Sequence, residues 1–245
     1  MKVALVCIAK NEENYIEEWI DYHVKLGFDG IYVYQNDWRF DLKKDKLHKL
    51  ILDGSNKQRV AYRKFVVDYS EQYDWIAFYD VDEFLVLKKH KTIQEFLSEY
   101  EDYEGVAINS VYFGCNGQTI VKDNNYSTLK RFTKRQIGID KHIKCIMKSN
   151  KDLIMDVHNA VNVHNVVDTN KKFFYSGSFH FDGNDEIAQL NHYWVKTYDE
   201  FKAKCDRGRA DVGDDNLFHK HEHFYIGNHN DIDDTIARDF LYGNN

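Results

Sequence analysis

The chain of 245 residues contains no proline, so its turns must be built from other residues. Glycine, asparagine and aspartate suit that role, because they tolerate unusual backbone angles or hydrogen-bond to the nearby backbone. The chain also lacks any run close to the roughly 20 apolar residues that a membrane-spanning helix needs. The apolar residues 3–8 lead straight into Lys10 and Glu12 without a small-residue cleavage site, so they predict a first strand rather than a signal peptide.

Cysteine is scarce and shows no metal or redox spacing. The four cysteines are Cys7, Cys115, Cys145 and Cys205. Because no two of them form a C-x-x-C pair, we expect reduced thiols and a cytoplasmic protein. An excess of positive charge is missing too. The formal net charge of −7 argues against a broad face that binds nucleic acid.

The beginning of the chain predicts a strand, a helix and a second strand. Hydrophobic residues make up 43% of the sequence, enough for one sizeable core. A buried strand over residues 3–9 precedes helical spacing of apolar residues over 15–26 and a second apolar strand over 30–34. Such a βαβ unit has parallel strands. The polar loops at 10–13 and 35–38 should therefore lie at the same edge of the sheet.

The segment WIAFYDVDEF, residues 75–84, joins an unbroken apolar run to three acidic residues. The run predicts a strand buried on both faces, with its acids at the carboxyl end, where open α/β sheets bind ligands. Asp80 and Asp82 are two residues apart, so on an extended chain both carboxylates point to the same side. Paired carboxylates suit Mg²⁺ or Mn²⁺ shared with substrate phosphates, although a plain acidic turn would give the same short motif.

Periodicity and capping signals predict the remaining elements. Helices are predicted over residues 45–52, 58–73 and 92–100, from residue 197 onward, and over 235–241. Strands are predicted over residues 105–113, 143–147, 156–164 and 187–193. The alternating His219, His221 and His223 would share one strand face, where a separate metal site is one reading and a polar tail the plainer one.

Several motifs besides DVDEF share their order and spacing with a known group of enzymes. They are KNEE at 10–13, EWIDYH at 18–23, GFD at 27–29, YVYQN at 32–36, FGCNG at 113–117, KRF at 130–132, and NHYWVK at 191–196 followed by Glu200, Lys204 and Arg207. Over about residues 3–209, which is most of the chain, the sequence resembles GT-A-fold glycosyltransferases of families 2 and 92.

The resemblance implies one α/β domain over residues 1–245, with a Rossmann-like, mostly parallel sheet flanked by helices. Residues 1–113 would bind the nucleotide sugar, and residues 114–245 would complete the acceptor, metal and diphosphate sites. The implied reaction moves one hexose, with UDP as the expected carrier, to a glycan or glycolipid in polysaccharide or lipopolysaccharide biosynthesis. Inversion at the anomeric carbon and a Mn²⁺ or Mg²⁺ cofactor are expected on the same ground.

The resemblance also points to site residues. Metal ligation is expected from Asp80 and Asp82, together with His192 or its rival His158. Contacts with the nucleotide sugar are expected from Ala9, Lys10, Asn11, Glu12, Asn36, Asp37, Asp80, Val81, Lys196, Arg207 and Arg209. Inversion requires a general base. The candidates are Asp156, which is preferred, then Asp182, Asp185 and Glu186, with Glu83 in a supporting role.

Plainer readings stay open for these residues. Asn36 and Asp37 also suit turns, His192 also suits a buried, hydrogen-bonded strand position, and Lys202 also suits a solvated helix face. The alternative functions are a nucleotide-sugar hydrolase or nucleotidyltransferase, and a non-catalytic carbohydrate-binding protein. A peripheral contact with the inner face of a membrane is open as well, because the basic helix after residue 197 would suit anionic lipid.

Overall fold

A computed structural model of the chain describes residues 1–174, 177–208 and 222–243. It confirms the predicted α/β class, with one large mixed sheet flanked by helices. The strands are β1 (Val3–Ala9), β2 (Gly30–Gln35), β3 (Leu47–Ile51), β4 (Trp75–Phe78), β5 (Glu83–Leu87), β6 (Gly105–Tyr112), β7 (Lys134–Arg135), β8 (Ile143–Lys148), β9 (Val166–Asp168), β10 (Ala188–His192) and β11 (Ile232–Asp233). The helices are α1 (Ile16–Leu26), α2 (Gln58–Tyr69), α3 (Ile93–Ser98), α4 (Thr128–Arg131), α5 (Tyr198–Arg207), α6 (His223–Gly227) and α7 (Ile236–Tyr242).

The sheet is parallel in the half that contains the predicted βαβ unit. Its strand order is β3-β2-β1-β4-β8-β6-β10-β5, and β9 pairs with β6. Because β3, β2, β1 and β4 are parallel neighbours, their carboxyl ends meet at one edge. In the other half, β8 is antiparallel to both β4 and β6, while β10 is parallel to β6 and antiparallel to β5.

Burial on both faces explains the unbroken apolar sequence of β1, every residue of which is buried. Leu5 belongs to the core layer that contains Trp19 of α1, whereas its neighbour Val6 belongs to the layer that contains Phe65 of α2. Each fully buried aliphatic side chain contributes about 1.5–3 kcal/mol. Helices on both faces therefore fix the strand, and with it the position of the loop at its carboxyl end.

Residues 47–51 form an edge strand, so the helix predicted over residues 45–52 is wrong. β3 pairs in parallel with β2, from Leu47 opposite Ile31 to Ile51 opposite Gln35. Its side chains are half-buried or exposed, and so short an apolar pattern fits an edge strand as well as a helix. The strand is favoured over the helix because the backbone amides and carbonyls at the open edge of β2 need hydrogen-bond partners.

The strand predicted over residues 156–164 is also wrong. These residues form bends, with an isolated bridge between Met155 and Ala160. The Asp156 N–H donates to the Asn159 carbonyl oxygen at 2.8 Å, a local turn of the kind that asparagine favours. The helix predicted over residues 58–73 ends earlier, and a short 3-10 turn, Ser70–Gln72, follows α2.

Capping threonines start two of the predicted helices, α3 and α5. The Thr92 hydroxyl accepts the Glu95 N–H at 3.2 Å. The Thr197 hydroxyl accepts the Glu200 N–H at 3.3 Å, and the Glu200 carboxylate accepts the Thr197 N–H at 3.1 Å. This reciprocal pair satisfies two backbone donors at the start of α5. It thereby sets the register of a helix whose last turn carries two cations of the candidate site.

The cysteines are free and buried, as expected for reduced thiols. Cys7 and Cys145 lie in the strands β1 and β8, where burial raises the pKa of each thiol. A protonated, buried thiol behaves as a small apolar side chain. In the part of the chain that the structure describes, no helix is long and apolar enough to span a membrane.

Candidate functional site

The loops that follow β1, β2 and β4 converge on one cavity, as their common sheet edge predicts. The cavity has a volume of about 550 Å³, within the usual range of small-molecule sites. These loops contribute Lys10, Glu12, Asn36, Asp80, Val81 and Asp82. Further lining residues from β6, β10, α5 and the segment before β8 are Tyr112, His142, His192, Lys204 and Arg207.

Asp82 is the buried acidic centre of this cavity. Its Oδ2 lies 2.5 Å from Lys204 Nζ and 3.7 Å from His192 Nε2. Burial alone would raise the pKa of Asp82, but Lys204, His192 and Lys196 lower it well below its usual range. The side chain is therefore an ionised carboxylate at neutral pH.

The atoms around Asp82 fit a divalent cation. Burial lowers the pKa of His192 to about 4, so the imidazole is neutral at neutral pH and keeps a lone pair for a metal. Metal ions lie about 2.0–2.2 Å from such nitrogen and oxygen ligands, so atoms 3.7 Å apart can share one ion. Within the described ranges no group of three His, Cys, Asp or Glu is assembled for a metal. A cation here would complete its shell with water or substrate phosphate.

Asp80 is held by a separate network. Gln58 Nε2 donates to its Oδ1 at 3.0 Å, and Lys144 Nζ lies 3.0 Å from its Oδ2. The same ammonium lies 3.3 Å from Glu83 Oε2, which accepts the Asp80 N–H at 2.9 Å. A turn replaces the extended chain expected from the sequence. Asp80 and Asp82 therefore have different cations instead of forming one aligned pair.

Lys144 Nζ and Glu83 Oε2 are 3.3 Å apart below the acidic turn, and their side chains are only 2% and 3% exposed. Burial raises the pKa of Glu83 to about 8; Lys144 opposes the shift, while the neighbouring Asp80 and Asp82 carboxylates add to it. Burial alone would lower the pKa of Lys144, but Asp80 and Glu83 raise it, so the ammonium stays charged. Lys144 thus holds the carboxylate of Asp80, while Glu83 holds its backbone N–H.

Arg207 ties α5 to the loop after β1. Its guanidinium donates to the Lys10 carbonyl oxygen at 2.6 Å and pairs with the carboxylate of Glu12. Glu12 is itself buried. All three residues line the cavity, so predicted nucleotide-binding residues from distant parts of the sequence meet there.

Asn36 and Asp37 stabilise their own loop. Asn36 Nδ2 donates to the carbonyl oxygens of Leu52 and Gly54, both at 2.8 Å. Asp37 Oδ1 accepts the Gly54 N–H at 3.0 Å, and its Oδ2 lies 3.3 Å from Lys10 Nζ. Turn chemistry therefore accounts for the polar contacts of both side chains, and of the two only Asn36 lines the cavity.

Lys196 and the rival ligand His158 lie in settings unlike that of His192. Lys196 Nζ is 3.6 Å from the centre of the Tyr15 ring, and burial lowers its pKa. Lys196 does not belong to the cavity lining. His158 lines the cavity, and its Nδ1 lies 2.8 Å from the Ile143 carbonyl oxygen. Because His192 is the ring beside Asp82, the geometry favours His192 as the ligand.

Asp156, the preferred candidate base, is not brought to the cavity. Its Oδ1 lies 2.5 Å from Arg59 Nε, and its side chain is 41% exposed. Ala9 and Asn11 also lie outside the cavity lining. Arg209, His219 and His221 lie outside the described residues. His223 begins the helix α6, so the strand face predicted for it is wrong.

Several lining residues were not among the site residues predicted from the sequence. Those with polar or aromatic side chains near the acidic turn include Gln58, Tyr112, His142 and Trp194. No local motif marks them, because sheet pairing brings them together from distant parts of the chain; β6 and β8, for example, are antiparallel neighbours. The one visible signal was an aspartate two residues before a histidine, Asp140 and His142, which by itself is unspecific.

Comparison with known proteins identifies the family. The model of glycosyltransferase family 92 matches residues 53–225, more than half of the chain. A family 92 protein of Arabidopsis thaliana is 23% identical over 220 residues, which cover 80% of this chain and 36% of that protein. A second, from Oryza sativa subsp. japonica, is 23% identical over 216 residues, which cover 81% of this chain and 34% of that protein. The chain thus spans little more than a third of the length of these curated relatives.

Among solved structures, S. aureus TarS 1–349 matches 99% of this chain and 70% of its own length, with 13% identity and a TM-score of 0.40. The same protein in complex with UDP-GlcNAc matches 91% of this chain and 69% of its own length, with 15% identity and a TM-score of 0.40. These scores are too low to support an argument about this chain. The family match stands without them, and it includes the acidic turn, His192 and both cations of α5. The chain belongs to glycosyltransferase family 92.

Proposed function

We propose that this chain is a metal-dependent glycosyltransferase that moves one sugar from a nucleotide sugar to a hydroxyl of a glycan or glycolipid. The observation that carries the proposal is the pair of buried Asp82 and half-buried, neutral His192, 3.7 Å apart, in a cavity at the carboxyl edge of the parallel strands. Open α/β sheets bind their ligands at this edge. Family membership supports sugar transfer as the reaction. UDP as the carrier and inversion as the stereochemical course are proposed from the resemblance to glycosyltransferase families 2 and 92.

The chief demand of the reaction is to stabilise charge on the departing diphosphate. Asp82 and His192 would hold a Mn²⁺ or Mg²⁺ ion, which when bound supplies Lewis-acid stabilisation of that charge. Lys204 and Arg207 line the same cavity, where they can donate charge-assisted hydrogen bonds to phosphate oxygens. Cations already fixed in a cavity act without reorganisation during the reaction.

Asp80 supplies a preorganised acceptor beside this charge centre. Gln58 and Lys144 each hold one of its oxygens at 3.0 Å, so the carboxylate cannot rotate freely. A fixed carboxylate is suited to accept a hydrogen bond from a ribose hydroxyl or from water of the metal shell. Orienting the donor in this way lowers the entropic part of the barrier.

The proposal is tested by a binding screen followed by product analysis. UDP, GDP, dTDP and CMP sugars are added with Mn²⁺ or with EDTA, and the melting temperature is measured. A ligand at 100 times its Kd stabilises the folded state by about 2.7 kcal/mol. We expect one nucleotide class to raise the melting temperature only when Mn²⁺ is present. Mass spectrometry should then find an acceptor glycan that has gained one sugar.

Other outcomes would support other functions. Release of free sugar with no transfer to any acceptor would indicate a nucleotide-sugar hydrolase. Binding of glycans without metal-dependent binding of any nucleotide sugar would indicate a carbohydrate-binding protein. Either result would contradict the proposed transfer.

A further inference from the structure

A histidine–aspartate pair lies in the wall of the cavity, apart from the acidic turn. His142 lines the cavity, and its side chain is 34% exposed. Its Nδ1 lies 2.5 Å from Asp140 Oδ1, and its backbone N–H donates to the same oxygen at 2.8 Å. The hydroxyl of Tyr112 lies 3.2 Å from Nδ1 on another side. Three contacts therefore fix the orientation of the imidazole ring.

These contacts also select the tautomer of His142. Burial alone would raise the pKa of Asp140, but the hydrogen bonds from the His142 ring and N–H lower it, so Asp140 is ionised and can only accept. The proton of the neutral ring must then lie on Nδ1, which leaves the lone pair on Nε2. Throughout the described ranges, no residue hydrogen-bonds to Nε2. An imidazole oriented by a carboxylate, with a free second nitrogen, is the arrangement of a general base.

The pair lies close to the charge centre of the site without contacting it. The ring centre of Tyr112 is 5.2 Å from that of His192 and 6.3 Å from that of His142. The ring of Tyr112 therefore neighbours both His142 and the candidate metal ligand His192, and all three residues line the cavity. A sugar whose diphosphate is bound beside Asp82 would project into the space that His142 also borders.

We propose that His142 Nε2 removes the proton from the acceptor hydroxyl during transfer, and that Asp140 is its positioning residue. This inference rests on the proposed function. The acceptor oxygen forms a bond with the anomeric carbon as its proton passes to Nε2. The bond between that carbon and the diphosphate oxygen breaks, and its electron pair leaves with the diphosphate. The proton on Nε2 then passes to solvent, which restores the neutral ring.

The carboxylates considered from the sequence are less suited to this role. Asp156 pairs with Arg59 outside the cavity lining. Asp185 lies 3.0 Å from Lys88 Nζ and 2.8 Å from an Arg135 nitrogen. Asp182 and Glu186 do not line the cavity either.

The experiment compares His142→Gln with the wild type after a donor and an acceptor have been found. We expect kcat for transfer to fall by about 10²–10⁴-fold, the usual contribution of general-base catalysis. The Mn²⁺-dependent rise in melting temperature caused by the nucleotide sugar should be unchanged, because the diphosphate site is intact. Added imidazole should restore part of the activity of His142→Ala. His90→Gln is the matched control, since it removes a histidine paired with Glu99 at 2.7 Å outside the cavity.

Asp140→Asn tests the positioning role. We expect a lower kcat with little change in KM for the donor, because an amide no longer enforces the Nδ1–H tautomer. Asp140→Glu should retain more activity than Asp140→Asn. A wild-type kcat in His142→Gln would overturn the inference alone, and so would loss of donor binding in that variant, which would show a structural role. A wild type that transfers sugar to no acceptor would overturn the proposed function itself.

Discussion

Lys204 places its ammonium 2.5 Å from the Asp82 carboxylate, although the two residues are 122 positions apart in the sequence. The contact joins the last turn of α5 to the turn between β4 and β5. The ammonium of Lys204 therefore already neutralises the Asp82 carboxylate, on which the proposed metal site depends. A divalent ion at Asp82 would have to share this oxygen with Lys204 or displace the ammonium toward the cavity.

This relationship predicts the effect of Lys204→Met. Without nucleotide, the variant should bind Mn²⁺ on the order of tenfold more tightly, the change that about 1.4 kcal/mol produces, because Asp82 loses its competing cation. Turnover of the nucleotide sugar should fall, because the diphosphate loses a hydrogen-bond donor. Calorimetric titration with Mn²⁺ measures the first effect. The control is Lys202→Met, on the exposed face of the same helix, and an unchanged affinity in Lys204→Met would refute the competition.

The buried pair of Arg131 and Glu200 predicts a large effect on stability. The guanidinium holds both carboxylate oxygens, at 2.8 and 2.6 Å, and both side chains are below 10% exposed. Either Arg131→Met or Glu200→Gln should cost about 3–5 kcal/mol, because a single change leaves a charged or polar partner buried and unpaired. Urea denaturation measures the loss. The exposed pair Arg39 and Asp53 gives the control, since solvent screens the pair and breaking it should leave the stability almost unchanged.

The double variant Arg131→Met/Glu200→Gln measures the coupling energy between the two side chains. It should be more stable than the sum of the two single losses predicts, because no charge is left unpaired. Strict additivity of the single losses would show that the two residues act independently, against the observed contact.

His23 predicts a pH dependence of stability. Burial lowers the pKa of His23 to about 3, from an ordinary 6.5, although a hydrogen bond to the Trp19 carbonyl opposes the shift. Between about pH 6.5 and pH 3, the unfolded chain binds a proton at His23 that the folded chain does not bind. Its contribution to stability is therefore complete above pH 6.5 and is lost as the pH falls toward 3, at about 1.4 kcal/mol per pH unit.

Denaturation of the wild type and His23→Gln between about pH 5 and 7 tests this contribution. The variant lacks the buried imidazole, so its stability should fall less steeply with acid. Between pH 7 and pH 5, the free energy of unfolding of the wild type should fall by about 2 kcal/mol more than that of the variant. Parallel curves for the two proteins would show that His23 does not set the dependence.

Local sequence was sufficient to predict β1, α1 and β2, which form the edge of the sheet that borders the cavity. The apolar run of β1, the helical spacing of α1 and the glycine that ends it are all short-range signals; Gly27 has the positive φ of 110° that favours glycine. β3 was missed because its pairing with β2, and not its own pattern, determines its conformation. In the same way, the turn-rich residues 156–164 depend on local hydrogen bonds that a count of apolar residues does not register.

The acidic residues of the candidate site could be predicted from the sequence, but the cations that pair with them could not. Asp80 and Asp82 follow an apolar run, and this pattern is local. Their cations come from elsewhere: Lys144 is 64 positions from Asp80, and Lys204 is 122 positions from Asp82. The roles of the two carboxylates therefore separate only in three dimensions, where each has its own partner. His142 was missed for the same reason.

The most direct test of the account is nucleotide-sugar turnover by the wild type and Asp82→Asn, each with Mn²⁺ and with EDTA. We predict that the wild type releases nucleoside diphosphate only when Mn²⁺ is present, and that Asp82→Asn loses at least about 10²-fold of this rate while remaining folded. Asp41→Asn, which alters a carboxylate that is 92% exposed, should behave as the wild type. Turnover by Asp82→Asn at the wild-type rate would contradict the assignment of Asp82 and His192 as the metal-diphosphate centre.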